Sequence, residues 1–182
     1  RYLFTPSQQL ILITSFFIVL FCNKTFFMKL AAFALEEKNY IVLVSTPFVL
    51  TLMMMIILNL LLLLTNRYSL KSILALILIV SASSGYFIDS FGTIIDKEML
   101  NNMSQTDSME VFDLITPKLF IYLLIGALLP LLFLVRYRVF YSNYIFEVAQ
   151  RVVVLLGLLA LIGGIYLGFN GAYGSFFRNH KE

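Results

Sequence analysis

Charge is what this sequence has least of. Asp, Glu, Lys and Arg make up 13% of its 182 residues, about half the share usual in soluble domains. With 60% of residues hydrophobic, that scarcity excludes an ordinary water-soluble fold. There is no tryptophan, one histidine (His180) and one cysteine (Cys22). A lone cysteine excludes an internal disulfide. A lone histidine leaves no histidine-rich metal centre, since a zinc site needs three or four suitable ligands. The net charge of +3 comes from short basic clusters, not from a tail built to bind nucleic acid. The first apolar run lacks a small-residue cleavage site, so no removable signal peptide is expected. The chain starts at Arg1 and stops at FFRNHKE without a terminal element; a fragment of a longer protein is expected.

Several apolar runs approach or exceed the roughly 18 residues that signal a membrane span. Five are expected, over about 8–22, 41–64, 72–88, 118–135 and 152–169. The fold class is therefore all-α and integral to a membrane, with amphipathic interfacial helices in the connections 23–40 and 89–117. Thr5-Pro6 and Thr116-Pro117 place an N-cap threonine before a proline at the first helical position. Pro47 should kink the second span or mark a late start near Thr46, and Pro130 should kink or end the fourth. No Asp, Glu, Lys, Arg or His lies inside these five cores, as expected where a central charge costs roughly 2.5–3.5 kcal/mol. Ser81 and Gly85 on the third span, and Gly164 and Gly168 on the fifth, offer small faces for close helix approach. Glycine is also simply common in membrane helices.

Six of the ten acidic residues, Asp89, Asp96, Glu98, Asp107, Glu110 and Asp113, gather in the connection 89–117 with the single base Lys97. The connection after span two carries Arg67 and Lys71, and that after span four carries Arg136, Arg138 and Arg151. The positive-inside rule counts bases alone. It sets the N-terminus and these two basic connections in the cytoplasm, with the acidic connection and the C-terminus outside. Lys24, Lys29 and Lys38 in the first connection weigh the other way.

Both outer connections carry helical patterns. In 23–40, Phe26, Phe27, Leu30, Phe33 and Ala34 share one face, with Lys29, Ala32 and Glu36 opposite. A helix lying in the interface fits; so does an extension of span one. In 89–117, Met99, Leu100 and Met103 cluster on one side of a helix starting near Asp96. Asn102, Thr106 and Glu110 recur every four residues, which makes one polar stripe beside them. At the height of lipid headgroups, a carboxylate pairs with an ammonium, while an amide and a hydroxyl donate to phosphate oxygens. A bland explanation stands beside this one. Asp107-Ser-Met-Glu110 has the form of a capping box, giving Asp107 and Glu110 a purely structural role. For Asp89, Asp96, Glu98 and Asp113 a solvated surface is the default.

The stretch SGYFIDSFGTIIDKEMLNNMSQTD, with the later TPKL and the terminal YGSFFRNHKE, resembles the N-terminal membrane domain of bacterial lipid A phosphoethanolamine transferases. That family includes the mobile colistin resistance enzymes. The likeness is specific in Tyr86 to Asp107 and Ser175 to Lys181; the family more often has YASFFRNN at the end. The resemblance implies an inner-membrane protein whose C-terminal periplasmic catalytic domain, with a threonine nucleophile and zinc, lies beyond this chain. It implies transfer of phosphoethanolamine from phosphatidylethanolamine to lipid A, which lowers surface charge and polymyxin binding. It further implies that Asn102, Thr106 and Glu110 hold the donor headgroup. No catalytic or metal residue is expected in this chain, and no activity from it alone.

A transporter is the rival class. Transporters place polar groups at the midplane and show internal repeats. Here Thr51 and Asn59 are the only midplane candidates, and five spans do not divide into equal halves. A scaffold subunit without catalysis is a second rival.

Overall fold

The computed structural model describes residues 6–36, 38–63, 65, 69–91, 116–139 and 143–179. Every regular element among them is helical: α1 (Pro6–Cys22), α2 (Lys24–Glu36), α3 (Tyr40–Leu61), α4 (Ser69–Phe91), α5 (Pro117–Leu123), a π-helical turn (Leu124–Leu128), α6 (Leu129–Arg136) and α7 (Tyr144–Asn179). Among the described residues, four helical stretches are long and apolar enough to cross a membrane. These are Tyr40–Leu61, Ser69–Ser90, Pro117–Arg136 and Tyr144–Gly168. The α1–α2 pair passes the same test only as a single bent element. At 17 residues, α1 alone is about 25 Å long, short of a hydrocarbon core about 30 Å thick.

The helices neighbour one another in the order α7, α3, α1, α4, and then the α5–π–α6 span. The central helix α1 buries Leu10, Ile11, Ile18 and Cys22. On α3 the core positions are Leu52, Met55 and Leu58, followed by Leu62 just past its end. On α4 they recur strictly every four residues: Leu70, Leu74, Leu78, Ala82 and Tyr86. A spacing of four lays these side chains along one stripe. The opposite faces carry bare Leu, Ile, Val and Phe, the expected surface where lipid is the solvent.

Three of the sequence expectations change. First, α3 does not start late at Thr46. It begins at Tyr40, because Asn39 caps it by accepting from the Val42 amide. Pro47 lies within the helix, and Thr46 and Thr51 turn their hydroxyls back onto the Val42 and Pro47 carbonyls. Second, Pro130 does not end its span. The ring of a helical proline collides with the carbonyl four residues back, and the amide it lacks leaves that carbonyl unbonded. The turn immediately before it is π-helical, the Leu129 amide donating five residues back to the Leu124 carbonyl, and the span runs on to Arg136. Third, the connection after this span is shorter than expected, since α7 starts at Tyr144 and includes Arg151.

Between α1 and α2 the chain turns by 71°. Asn23 makes the corner. Its side-chain amide reaches back to the Ile18 and Val19 carbonyls of α1, donating at 3.3 and 3.1 Å. Its own carbonyl accepts from Phe27 to open α2. The inward face of α2 is Leu30 and Ala34, with Phe27 packed beside Val42 of α3. The other end of α2 closes through Lys38, whose positive φ of 55° lets Asn39 donate to the Ala34 carbonyl, a left-handed C-cap.

Candidate functional site

Polar side chains meet at two ends of this bundle, and one end carries the connection singled out above. There, Asp89 lies in the last turn of α4. Its Oδ1 accepts from the Thr25 hydroxyl at 2.6 Å and the Thr25 amide at 3.3 Å; its Oδ2 accepts from the Tyr122 hydroxyl at 3.0 Å. Thr25 stands in the first turn of α2, where amides have no intrahelical partner. A carboxylate there satisfies a free donor and complements the positive end of the helix dipole. Asp89 therefore joins α4, α2 and α5 at one point. It is not the solvated surface residue expected from sequence.

A second contact ties the two ends of the long connection together. The hydroxyls of Tyr86 on α4 and Thr116, the N-cap of α5, lie 2.7 Å apart. Thr116 also accepts from the Leu119 amide, with Pro117 following it, as Thr116-Pro117 led us to expect. The rings of Tyr86 and Tyr122 meet edge to face at 5.8 Å, and Phe21 of α1 packs on Tyr122 at 5.0 Å. Close backbone approach makes this possible. A Cβ on Gly85 would sit 3.1 Å from the Cys22 backbone, and one on Gly126 would run into the Phe21 ring. The small face expected at Gly85 is thus used. No such neighbour meets Gly164 or Gly168 among the described residues.

Asn102, Thr106 and Glu110 lie outside the described residues, as do Asp96, Glu98, Asp107 and Asp113. The structure brings together the roots of their segment, at Asp89 and Thr116. Sequence reasoning missed Thr25, Asp89 and Tyr122 because the contact spans 64 residues from Thr25 to Asp89 and 33 from Asp89 to Tyr122. The available signal was Tyr86 and Asp89 at i and i+3, on one helical face.

At the opposite end, buried Arg151 of α7 donates to the Leu62 carbonyl and, at 2.9 Å, to the Thr65 hydroxyl, capping α3. Glu147 pairs with it at 3.7 Å. Lys71 of α4 donates to the Val135 and Tyr137 carbonyls at 3.1 and 2.7 Å. Between α1 and α3, the Gln8 amide donates to the Asn59 carbonyl oxygen at 2.8 Å, both side chains being fully buried. Asn59, a midplane candidate by sequence, therefore serves a helix contact.

No group of three or more His, Cys, Asp or Glu suited to a metal ion occurs among the described residues.

These features define a multi-pass helical membrane domain, with a hydrogen-bonded node where α4 ends and α5 begins. The family model described as phosphoethanolamine transferase EptA/EptB matches residues 51–182, and the chain belongs to that family. It is 34% identical to phosphatidylethanolamine transferase Mcr-1 of Escherichia coli, over 91% of this chain and 30% of that protein. It is 32% identical to Mcr-2 of the same species, over 100% of this chain and 33% of that one. Among solved structures, the integral membrane lipooligosaccharide phosphoethanolamine transferase A (EptA) of Neisseria meningitidis superposes with a TM-score of 0.79. Its identity is 28%, over 95% of this chain and 32% of that one. The chain thus spans about a third of the length of the relatives it matches.

Proposed function

We propose that this chain is the membrane domain of an inner-membrane phosphoethanolamine transferase. It anchors a periplasmic catalytic domain and helps bind phosphatidylethanolamine, the donor, for transfer of its headgroup to lipid A. The outcome is lower polymyxin binding. The observation that carries this reading is the node at Asp89 and Thr116, which pins both roots of the segment bearing Asn102, Thr106 and Glu110.

In this reading α1 is the fifth span and α2 lies in the periplasmic interface, its Phe27, Leu30 and Ala34 face turned inward. The N-terminus is cytoplasmic. Segment 92–115 rests on the periplasmic leaflet. Glu110 pairs with the ammonium of the donor headgroup, and Asn102 and Thr106 donate to its phosphate oxygens. The zinc and the threonine nucleophile belong to the catalytic domain. This chain's part is to hold the headgroup still, which converts an encounter between two lipids into a positioned reaction. It has no transferase activity by itself.

The test substitutes Glu110→Gln and Asn102→Ala separately in the full-length enzyme. Headgroup transfer to lipid A is read by mass spectrometry at matched membrane expression. Losing one charge-assisted bond, about 1.5–3 kcal/mol, lowers transfer by about tenfold or more. Unchanged transfer at equal expression removes the donor-site reading and leaves Asp107 and Glu110 as a capping box. The transporter and scaffold alternatives lose their support with the family match over residues 51–182.

A further inference from the structure

An open cavity of about 300 Å³ lies between α1, α4 and the α5–π–α6 span. The lining includes Thr14 and Phe17 of α1, Leu78 of α4, Ile125 of the π turn, and Pro130 and Phe133 of α6. Thr14 supplies the only side-chain polar atom there. The volume is about ten times a water molecule's share of the liquid. Yet Ile125, Leu129 and Phe133 of its lining are exposed, on an apolar surface where a bilayer offers hydrocarbon and no water. Left empty, the lining loses its dispersion contacts outright. A flexible apolar chain restores them.

The charge at the foot of the groove selects the headgroup. Leu134 lines the groove, and the next residue, Val135, gives its carbonyl to the Lys71 ammonium. Lys71 donates to two carbonyls, and an ammonium has three donors. Arg136 and Arg138 follow directly and are exposed. Among the described residues, the acid at this end of the bundle is Glu147, which pairs with Arg151. The end of the groove is therefore cationic.

We propose that this groove seats one acyl chain of an anionic phospholipid whose phosphate rests on Arg136, Arg138 and the third donor of Lys71. The site lies at the end of the bundle opposite the Asp89 node. It is independent of the donor-lipid reading and holds a resident lipid, not a substrate. Basic residues beside a span attract anionic headgroups at about 1 kcal/mol each, and the groove adds the specificity of a fitted chain.

The full-length enzyme tests this, purified in detergent and examined by native mass spectrometry and thermal unfolding, with added phosphatidylglycerol, phosphatidylethanolamine or inorganic phosphate. The expected result is one retained anionic phospholipid per chain, and stabilisation by phosphatidylglycerol alone. Ile125→Trp fills the groove from a half-exposed position and should lower lipid occupancy about tenfold, as loss of about 1.4 kcal/mol would. The Arg136→Gln, Arg138→Gln double variant leaves the groove intact. It should bind phosphatidylglycerol no better than phosphatidylethanolamine. Equal stabilisation of the wild type by both lipids overturns the proposal. So does protection by inorganic phosphate as strong as by lipid, or occupancy unchanged in both variants.

Discussion

Asp89 satisfies three donors from two other helices with one carboxylate. Hydrogen bonds to a charged group are worth about 1.5–3 kcal/mol each, and orphaning their partners adds to the loss. Asp89→Ala in the full-length enzyme should therefore lower stability by about 2 kcal/mol, read as a fall in the midpoint of thermal unfolding in detergent. Thr25→Val should lose less, because the Thr25 amide and Tyr122 keep their acceptor. An unchanged midpoint for Asp89→Ala would mean that the carboxylate is solvated after all. The Gln8–Asn59 pair invites a double-mutant cycle with Leu at both positions. Side-chain hydrogen bonds between membrane helices average about 0.6 kcal/mol of coupling, rarely above about 1.7. A value in that range is expected, and a zero coupling would show that the two amides act separately.

At the scale of elements, small residues decide which helices touch. The Cβ of Gly85→Ala would press on the Cys22 backbone, which cannot rotate aside as a side chain can. Overpacking of this kind costs about 1–3 kcal/mol. The Cβ of Gly126→Ala would strike Phe21, already stacked on Phe17 at 5.2 Å, and a comparable loss is expected. Gly164→Ala should leave stability within about 0.5 kcal/mol, since nothing among the described residues stands within 4 Å. Chemical unfolding of the three variants orders them, and equal effects would contradict this packing. The π turn belongs to the same scale. The proline at position 130 and the glycine at 126, four residues apart, are legible in the sequence. Their joint result, a bulged span that stays continuous, required the neighbours that hold it.

For the molecule as a whole, the two ends of the bundle have different chemistry. At one, Lys71 and Arg151 donate to helix C-terminal carbonyls, with exposed Arg136 and Arg138 nearby in the chain; the other gathers Thr25, Asp89, Tyr122 and Thr116 around a carboxylate and helix N-termini. Orientation follows from cysteine labelling of Glu110→Cys in a Cys22→Ala background, with a membrane-impermeant maleimide on intact spheroplasts. Labelling from the periplasmic side is expected. Labelling only after lysis would invert the topology, and with it the donor-lipid reading.

Composition and periodicity by themselves determined that this chain enters a membrane as helices, and where the helices expected from about 8, 41, 72 and 118 start, though not where α7 does. Hydrophobic length and capping residues are local properties, and Thr116-Pro117 carries its instruction within four residues. The blocks around Tyr86–Asp107 and Ser175–Lys181 likewise sufficed for the family. The partner of Asp89, the cap that Arg151 provides for α3, and the groove beside Pro130 were decided only by tertiary structure. Each depends on groups tens of residues apart arriving within about 3 Å, and no pattern along one helix encodes which helix will stand beside it.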